Sequence, residues 1–172
     1  YAADGTLWYR DADGDHRIAP PSTLRIPGDH NIANACAAIA ATRALGVSTA
    51  AMRRALESFR GLPGRLETVA RIGGVTYVND TCATSPDGTI AALRSNAGCR
   101  MQNAKLRNIV LIAGGTDKSL AFDAWAREVV RSVKALVFLP GTATEKMKTA
   151  LRPLITHHSS LITRDAPSMH AA

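Results

Sequence analysis

Apolar and polar residues follow two different patterns along this chain, one before and one after about residue 60. In the first part, two short apolar runs flank an Asp-Gly turn within residues 11–15, which predicts a β-hairpin. Two stretches with helical spacing follow, at residues 31–45 and from Ser48 to Phe59. In the second part, short apolar runs alternate with amphipathic stretches, and this alternation is typical of an α/β domain.

The two helices of the first part have recognisable ends. Gly46 lies just past the first helix, as glycine often does at a helix C-terminus. Ser48 is placed to cap the second helix, whose apolar residues share one face: Met52, Ala55, Leu56 and Phe59. Gly-Leu-Pro-Gly at 61–64 breaks regular structure. We therefore expect residues 1–61 and 62–172 to belong to different domains.

The second part predicts an α/β fold with a mainly parallel sheet. Strands are expected at 66–71, 75–78, 109–113, 135–139 and 161–163, with helices beginning at Pro86, Phe122 and Thr142. Ser85 is the expected cap of the first of these helices, and Thr142 with Glu145 forms a capping-box pattern. The run 109–113 is apolar throughout, which predicts a strand buried on both faces. Repeated strand–helix units predict right-handed crossovers and a Rossmann-like domain, preceded by the hairpin and helices of the first part.

Composition and charge narrow the class of protein. Of 172 residues, 46% are hydrophobic and 20% charged, as in a folded soluble protein, and no apolar stretch is long enough to cross a membrane. The net charge of +7 comes from scattered Arg and Lys, which predicts a solvated basic surface without a nucleic-acid partner, although a phosphorylated small substrate also suits it. The three cysteines and the pair His157-His158 lack metal-ligand spacing, and a reducing, cytoplasmic compartment is expected. The sequence does not begin with Met, so we expect it to be a piece of a longer protein.

Candidate chemistry is concentrated in two loops that follow predicted strands. Residues 79–86 read Asn-Asp-Thr-Cys-Ala-Thr-Ser-Pro, and residues 113–118 read Ala-Gly-Gly-Thr-Asp-Lys. Loops at the carboxyl ends of neighbouring strands meet at one crevice, where ligands bind. An acid, a hydroxyl and an amine, from Asp80, Thr84 and Lys118, are therefore expected to converge on one site.

Each of these three residues also has a plain structural interpretation. Asp80 can hold ribose hydroxyls or magnesium, or it can be a turn or capping aspartate, and position alone favours neither. The N-terminus of a helix favours an anion, and Thr84 is the better ligand candidate because Ser85 is expected to be the cap. Lys118 can bind a carboxylate, but taken alone it is more typical of a solvated loop lysine. The glycine-rich P-loop sequence that ends in Gly-Lys-Ser/Thr does not occur in the chain.

Further candidates lie before and just after the predicted domain boundary. Asn31 and Asn34 are one helical turn apart, with His30 beside them, and their amides can pair with a purine edge. The alternative is that Asp29 or Asn31 caps the helix. Arg65 follows the hinge and can reach a phosphate with its planar guanidinium, or it can form a surface ion pair.

Taken in order, these motifs closely resemble those of the Mur ligases. They are Gly-Asp-His-Asn-x-x-Asn from residue 28, Phe-x-Gly-Leu-Pro-Gly-Arg-Leu-Glu from residue 59, Asn-Asp-Thr-x-Ala-Thr from residue 79 and Gly-Gly-x-Asp-Lys-Ser from residue 114. The last two resemble the members that add D-glutamate. The resemblance runs from about residue 24 to the end, and its specificity lies in the ordered set, since each motif alone is weak.

The resemblance implies an activity and a domain organisation. It implies that this chain corresponds to the end of a central ATPase domain and most of a C-terminal Rossmann-like domain. In the family, ATP phosphorylates a carboxylate of a UDP-sugar peptide precursor, and the amine of D-glutamate attacks the acyl phosphate. The implied cofactors are ATP and Mg²⁺, with the magnesium ligands mostly upstream of this chain. We expect a monomer with small-molecule substrates and no membrane partner.

The resemblance also implies roles for individual residues. Asn34 is expected to contact adenine, with His30 and Asn31 beside it. Arg65 is expected to bind the ATP phosphates or ribose, and Asp80 the ribose hydroxyls. Thr84 and Lys118 are expected to bind the carboxylates of D-glutamate. No catalytic residue is assigned within this chain. Because the P-loop is absent, we expect the chain to be inactive on its own.

Two departures from the family pattern leave alternatives open. The residue before Arg65 is commonly His in the family and is Gly64 here, and the family's Ser-Lys after the aspartate is Thr81-Cys82 here. Loss of that lysine removes a cation near the acceptor pocket. The alternatives are a Mur or folylpolyglutamate-type ligase that adds another amino acid, and a non-catalytic Rossmann-like binding module.

Overall fold

The chain forms two compact units, Tyr1–Cys82 and Ala83–Ala172. The structure, a computed structural model, describes residues 1–26, 28–97, 108–155 and 160–172. Each unit has its own hydrophobic core. The predicted domain boundary after residue 61 stays a prediction.

The first unit begins with a three-stranded antiparallel sheet. Its strands, in spatial order, are β1 (Ala2–Ala3), β2 (Thr6–Asp11) and β3 (Gly14–Ala19). The predicted hairpin is confirmed, and its turn ends at Gly14, whose φ of 117° favours glycine. The Arg10 guanidinium donates to both carboxylate oxygens of Asp15, at 2.7 and 2.8 Å, and this lowers the pKa of Asp15 to about 2. An ion pair therefore joins the two strands next to the turn.

Two helices pack on this sheet. They are α1 (Asp29–Ala44) and α2 (Thr49–Ser58). Gly46, with a φ of 77°, follows α1 as predicted, and Ser48 Oγ accepts a hydrogen bond from Ala51 N at 3.4 Å, which confirms the cap of α2. Sheet and helices share one core, which includes Leu7, Ile18, Ala35, Ile39 and Met52.

The predicted apolar face of α2 is only partly correct. Met52 is buried and Leu56 is half-buried, but Ala55 is exposed and Phe59 is 42% exposed. Phe59 is the C-terminal cap of α2, with extended backbone at φ −69° and ψ 122°. Helical spacing therefore no longer determines where its side chain points.

The strands before the first candidate loop form a sheet of their own. Strands β4 (Glu67–Ile72) and β5 (Val75–Asn79) pair antiparallel around the positive-φ glycines at 73–74. Both predicted strands are confirmed, but β5 pairs with β4 alone among the described residues. The strand at 109 lies in a different sheet among these residues, so the expectation that β5 neighbours it in one sheet is wrong.

The second unit is an α/β domain with a parallel sheet. Its elements are α3 (Pro86–Ala97), β6 (Ile109–Ala113), α4 (Asp123–Ser132), β7 (Val133–Phe138), α5 (Thr144–Leu151) and β8 (Ile162–Asp165), with a 3-10 turn at Met169–Ala171. The strands lie parallel in the order β6-β7-β8. The predicted α/β fold with a mainly parallel sheet is confirmed. Its core is centred on side chains at most 1% exposed: Trp125, Val129, Leu136 and Leu151.

One face of strand β6 is exposed within the described part of the chain. Leu111 packs against the core, whereas Val110 on the opposite face is 60% exposed and Ile112 is also exposed. The prediction of burial on both faces is therefore wrong for these residues. In the described ranges no helix combines the length and apolar character that spanning a membrane requires.

A buried carboxylate joins helices α3 and α4. Glu128 is 4% exposed and accepts hydrogen bonds from Ser132 Oγ at 2.6 Å, Arg131 Nη2 at 2.5 Å and Arg94 Nε at 3.1 Å. Burial raises the pKa of this carboxyl, but the hydrogen bonds from Ser132, Arg131 and Arg94 outweigh it, so the pKa lies below its ordinary value. The charge is thus compensated within the unit.

Candidate functional site

The polar residues at the start of α1 do not cap this helix. The N-cap is Gly28, with a φ of 103°, and no side chain makes a capping hydrogen bond. The alternative that Asp29 or Asn31 caps the helix is therefore wrong, because both lie within it. Asn34 Nδ2 donates to Asn31 Oδ1 at 3.4 Å, Asn34 is exposed and His30 is half-buried. The two amides thus lie together on one side of the first turns.

Asp80 and Arg65 are linked through one turn. Leu66 N donates to Asp80 Oδ1 at 3.0 Å, and Leu66 has a φ of 46°, in the left-handed region. The turn interpretation of Asp80 is confirmed for this oxygen, while its contact with ribose stays a prediction. Arg65 is exposed, and among the described residues its side chain has no ion pair. Glu67 instead accepts a hydrogen bond from Gly64 N at 2.9 Å.

The two positions that depart from the Mur ligase pattern contact each other. Cys82 N donates to the Gly64 carbonyl at 2.9 Å. Gly64 has a φ of 72°, and a Cβ atom placed on it would lie 3.0 Å from Cys82 Sγ and 3.2 Å from Thr81 Oγ1. A larger residue at position 64 therefore strains the backbone and displaces the Cys82 side chain as well.

Thr84 is exposed directly before helix α3. Ser85 Oγ accepts a hydrogen bond from Gly88 N at 3.3 Å, which confirms Ser85 as the cap. The Thr84 hydroxyl has no hydrogen bond among the described residues. It lies beside a helix N-terminus, where the backbone dipoles favour an anion.

Lys118 lies in an exposed loop between β6 and α4, and its neighbours in sequence are held in place. Asp117 Oδ1 accepts a hydrogen bond from Ser119 N at 2.9 Å, and Ser119 has a φ of 59°. Asp117 Oδ2 lies 2.5 Å from Lys146 Nζ on α5. The hydrogen bond from Lys146 lowers the pKa of Asp117. The Lys118 ammonium itself has no partner within the described ranges.

The loop after β7 also belongs to this region, and sequence reasoning missed it. Thr142 Oγ1 accepts a hydrogen bond from Asp117 N at 2.8 Å. Helix α5 begins only at Thr144, with Ala143 at the N-cap and no capping side chain. The predicted capping box of Thr142 and Glu145 is therefore wrong, because the Thr142 hydroxyl binds the loop after β6. Its position in the loop that follows a predicted strand was the signal available in the sequence.

Metal-ligating side chains are not clustered in the described ranges. Among those residues, no group of three or more His, Cys, Asp or Glu could hold a metal ion. The pair His157-His158 lies outside the described residues. The described donor set therefore does not fit a magnesium site.

Candidate residues lie in both units, and hydrogen bonds join the segments that carry some of them. In the first unit, one turn connects Arg65, Asp80 and Cys82. In the second unit, the loop of Lys118 is joined to the loop after β7, and Thr84 lies at the start of α3. The convergence of Asp80 with Thr84 and Lys118 stays a prediction.

Known proteins resemble the chain in sequence and in fold. No protein-family model matches it. It is 43% identical over 152 residues to the UDP-N-acetylmuramoylalanine–D-glutamate ligase of Roseiflexus sp. strain RS-1, covering 88% of this chain and 31% of that protein. It is 34% identical over 150 residues to the UDP-N-acetylmuramoyl-L-alanine–L-glutamate ligase of Xanthomonas euvesicatoria pv. vesicatoria strain 85-10, covering 87% and 30%. The crystal structure of MurF from Acinetobacter baumannii superimposes with a TM-score of 0.62 at 20% identity, over 92% of this chain and 32% of that one.

The fold and the loops together define an α/β protein with polar loops at the carboxyl ends of its parallel strands. The curated relatives define the family more closely. The chain belongs to the Mur ligase family. It spans 31% and 30% of the length of the two curated relatives described.

Proposed function

We propose that this chain is part of an ATP-dependent amide ligase that adds D-glutamate to UDP-N-acetylmuramoyl-L-alanine in peptidoglycan synthesis. The observation that carries the proposal is the 43% identity to a D-glutamate ligase over 152 residues. That match covers most of this chain. We place the enzyme in the cytoplasm, where its nucleotide-linked substrate is made.

In the proposed reaction, the carboxylate of the precursor takes the γ-phosphoryl group of ATP, which gives an acyl phosphate and ADP. The amine of D-glutamate then attacks the carbonyl carbon, the amide bond forms and phosphate leaves. Catalysis of this kind depends mainly on positioning the reactants and on stabilising charge. We place the magnesium ion that assists it on other parts of the full-length protein.

The exposed polar groups of this chain suit the binding steps. We assign the carboxylates of D-glutamate to Lys118 and Thr84, because the first is an unpaired cation within the described ranges and the second lies beside a helix N-terminus.

The nucleotide is assigned to the first unit. We assign ATP phosphates or ribose to Arg65, and adenine to Asn34 with His30 and Asn31 beside it. Ribose hydroxyls are assigned to Asp80, whose Oδ2 has no hydrogen bond among the described residues. The exposed guanidinium of Arg65 and the adjacent amides of Asn31 and Asn34 support these assignments.

A second candidate acceptor is L-glutamate. The L-glutamate ligase of Xanthomonas is 34% identical to this chain over 150 residues. Both stereoisomers present two carboxylates and one amine, so Lys118 and Thr84 suit either.

The acceptor is determined by kinetics of the full-length enzyme. With ATP and UDP-N-acetylmuramoyl-L-alanine, phosphate release is measured for D-glutamate, L-glutamate and a panel of other amino acids. The proposal predicts that D-glutamate has the highest kcat/KM. A preference for L-glutamate supports the second candidate, and no release with any amino acid supports a non-catalytic binding module.

Substitution of Lys118 tests the residue assignment. Lys118→Ala should raise the KM for glutamate at least about tenfold, because it removes the ammonium that binds a carboxylate of the substrate. A tenfold change corresponds to about 1.4 kcal/mol of binding free energy. The control is Lys134→Ala, which removes an exposed lysine at the amino-terminal end of β7. Equal kinetics for Lys118→Ala and the control would remove Lys118 from the acceptor site.

A further inference from the structure

The loop after β6, which carries Lys118, is joined to the loop after β7 by backbone contacts. Leu139 N donates to the Ala113 carbonyl at 2.8 Å, and Ala143 N donates to the Gly115 carbonyl at 3.0 Å. Gly141 packs so closely on Gly115 that a Cβ atom at position 141 would overlap the Gly115 backbone. The two loops therefore hold each other in one arrangement along their glycine-rich portions.

Two side chains extend this connection to the residue beside Lys118. Thr142 Oγ1 accepts the hydrogen bond of Asp117 N at 2.8 Å, and Lys146 Nζ contacts Asp117 Oδ2 at 2.5 Å. The other oxygen, Asp117 Oδ1, accepts from Ser119 N at 2.9 Å. Asp117 thus uses its backbone N–H and both carboxylate oxygens to fix the residues on either side of Lys118.

The conformation held in this way is not one the loop adopts readily by itself. Ser119 has a φ of 59°, in the left-handed region that is unfavourable for a non-glycine residue. The hydrogen bond from Ser119 N to Asp117 stabilises that conformation, and Thr142 and Lys146 hold Asp117 in turn. Removal of either partner lets the loop sample other backbone states.

We infer that Thr142 and Lys146 are positioning residues for the acceptor: they hold Asp117, and through it they place the Lys118 ammonium where a carboxylate of the incoming amino acid binds. This inference rests on the proposed function, in which Lys118 binds that carboxylate. Neither residue touches the substrate in this account. Thr142 and Lys146 increase the fraction of enzyme in which the Lys118 loop has the conformation that binds the amino acid.

The test uses the full-length enzyme and two substitutions. Thr142→Val removes the hydroxyl at nearly constant shape, and Lys146→Met removes the ammonium while keeping the length of the side chain. Each should raise the KM for glutamate about fivefold to tenfold. The reason is that the apparent affinity falls in proportion to the fraction of enzyme whose loop is in the binding conformation. The KM for ATP and the melting temperature should stay close to those of the wild type.

Matched variants separate positioning from a general effect of charge. Lys148→Met removes a lysine from the same helix, where it pairs with Asp165 at 2.8 Å, and should leave the glutamate KM unchanged. Lys146→Arg keeps a cation near Asp117 and should restore most of the affinity. Asp117→Asn combined with Lys146→Met should be no worse than the more severe single variant, because both break the same contact.

The outcomes distinguish this inference from the proposed function. If Lys118→Ala raises the glutamate KM while Thr142→Val and Lys146→Met do not, the inference is wrong and the proposed role of Lys118 stands. If Lys118→Ala also has no effect, the proposed role of Lys118 is wrong. A parallel loss of ATP affinity and melting temperature in both variants would show a general structural role and overturn the inference.

Discussion

At the scale of single residues, Gly64 shows how one backbone conformation limits a position. Its φ of 72° favours glycine, and the Cys82 side chain occupies the space beside it. The sequence identified both positions as departures from the Mur ligase pattern. It could not show that they contact each other, because that contact depends on a turn between distant residues. In this turn Leu66 N donates to the carboxylate of Asp80, fourteen residues later.

Substitution of Gly64 should destabilise the first unit. Gly64→Ala should lower the free energy of unfolding by about 1–2 kcal/mol for the left-handed backbone, plus the cost of contact with Cys82 Sγ. The measurement is chemical denaturation of the chain. Gly5→Ala is the matched control, because Gly5 has a φ of 65° and nothing within 4 Å of a placed Cβ atom. Equal losses for the two variants would show that the contact with Cys82 costs nothing.

At the scale of elements, apolar spacing predicted the helices and strands well and predicted their surroundings less well. The strand 109–113 and helix α1 lie where the pattern indicated. The apolar run of β6 was expected to be buried on both faces, yet Val110 is exposed among the described residues. Local spacing does not determine which neighbours cover a strand, since that depends on residues far away in sequence.

The candidate site was predictable to a similar extent. Lys118, Thr84 and Asp80 follow strand ends or precede helices, and such positions can be found from the pattern alone. Thr142 was misassigned as a cap because Ser or Thr before a helix with Glu three residues later is typical of a capping box. Its actual partner is Asp117, twenty-five residues away, and only the pairing of β6 with β7 brings the two together.

The network around Glu128 should be important for the packing of α3 on α4. Glu128→Gln should cost about 2 kcal/mol of unfolding free energy at neutral pH, because hydrogen bonds to a charged group are replaced by weaker ones. The control is Glu145→Gln, because the Glu145 carboxylate is exposed and its ion pair among the described residues is with Lys148 at 3.5 Å. That variant should change stability by less than about 0.5 kcal/mol. Equal effects of the two would contradict the role assigned to burial.

The same carboxylate should contribute to the pH dependence of stability. The pKa of Glu128 in the folded chain is lowered from its ordinary value of 4.5. Its contribution is therefore fully present above the ordinary value and is lost as the pH falls through the lower folded pKa. Melting temperatures measured from pH 7 down to about pH 3 should fall less steeply for Glu128→Gln than for the wild type. Parallel curves would contradict this prediction.

At the scale of the whole molecule, the two units have different proposed roles, nucleotide binding and acceptor binding. The residues assigned to the nucleotide lie in Tyr1–Cys82, and those assigned to the acceptor lie in Ala83–Ala172. The chain contains no glycine-rich P-loop sequence. We therefore expect the 172-residue chain alone to release no phosphate from ATP, with or without D-glutamate and the precursor.

This prediction is checked by a phosphate-release assay at high concentrations of the chain, with the full-length enzyme as the positive control. Turnover by the chain alone, surviving repeated purification, would contradict it. Retained binding of glutamate without turnover would agree with it.

The exposed apolar strands also bear on how the chain behaves in solution. Val110 and Ile112 of β6 and much of the β4–β5 hairpin present apolar side chains to solvent in the described residues. A net charge of +7 keeps copies apart at low ionic strength. Salt shortens the range of that repulsion to about 10 Å at 0.1 M and does not weaken the attraction between apolar surfaces. Colloidal stability of the isolated chain should therefore decrease as salt is added, and dilute buffers are the better choice for storing it.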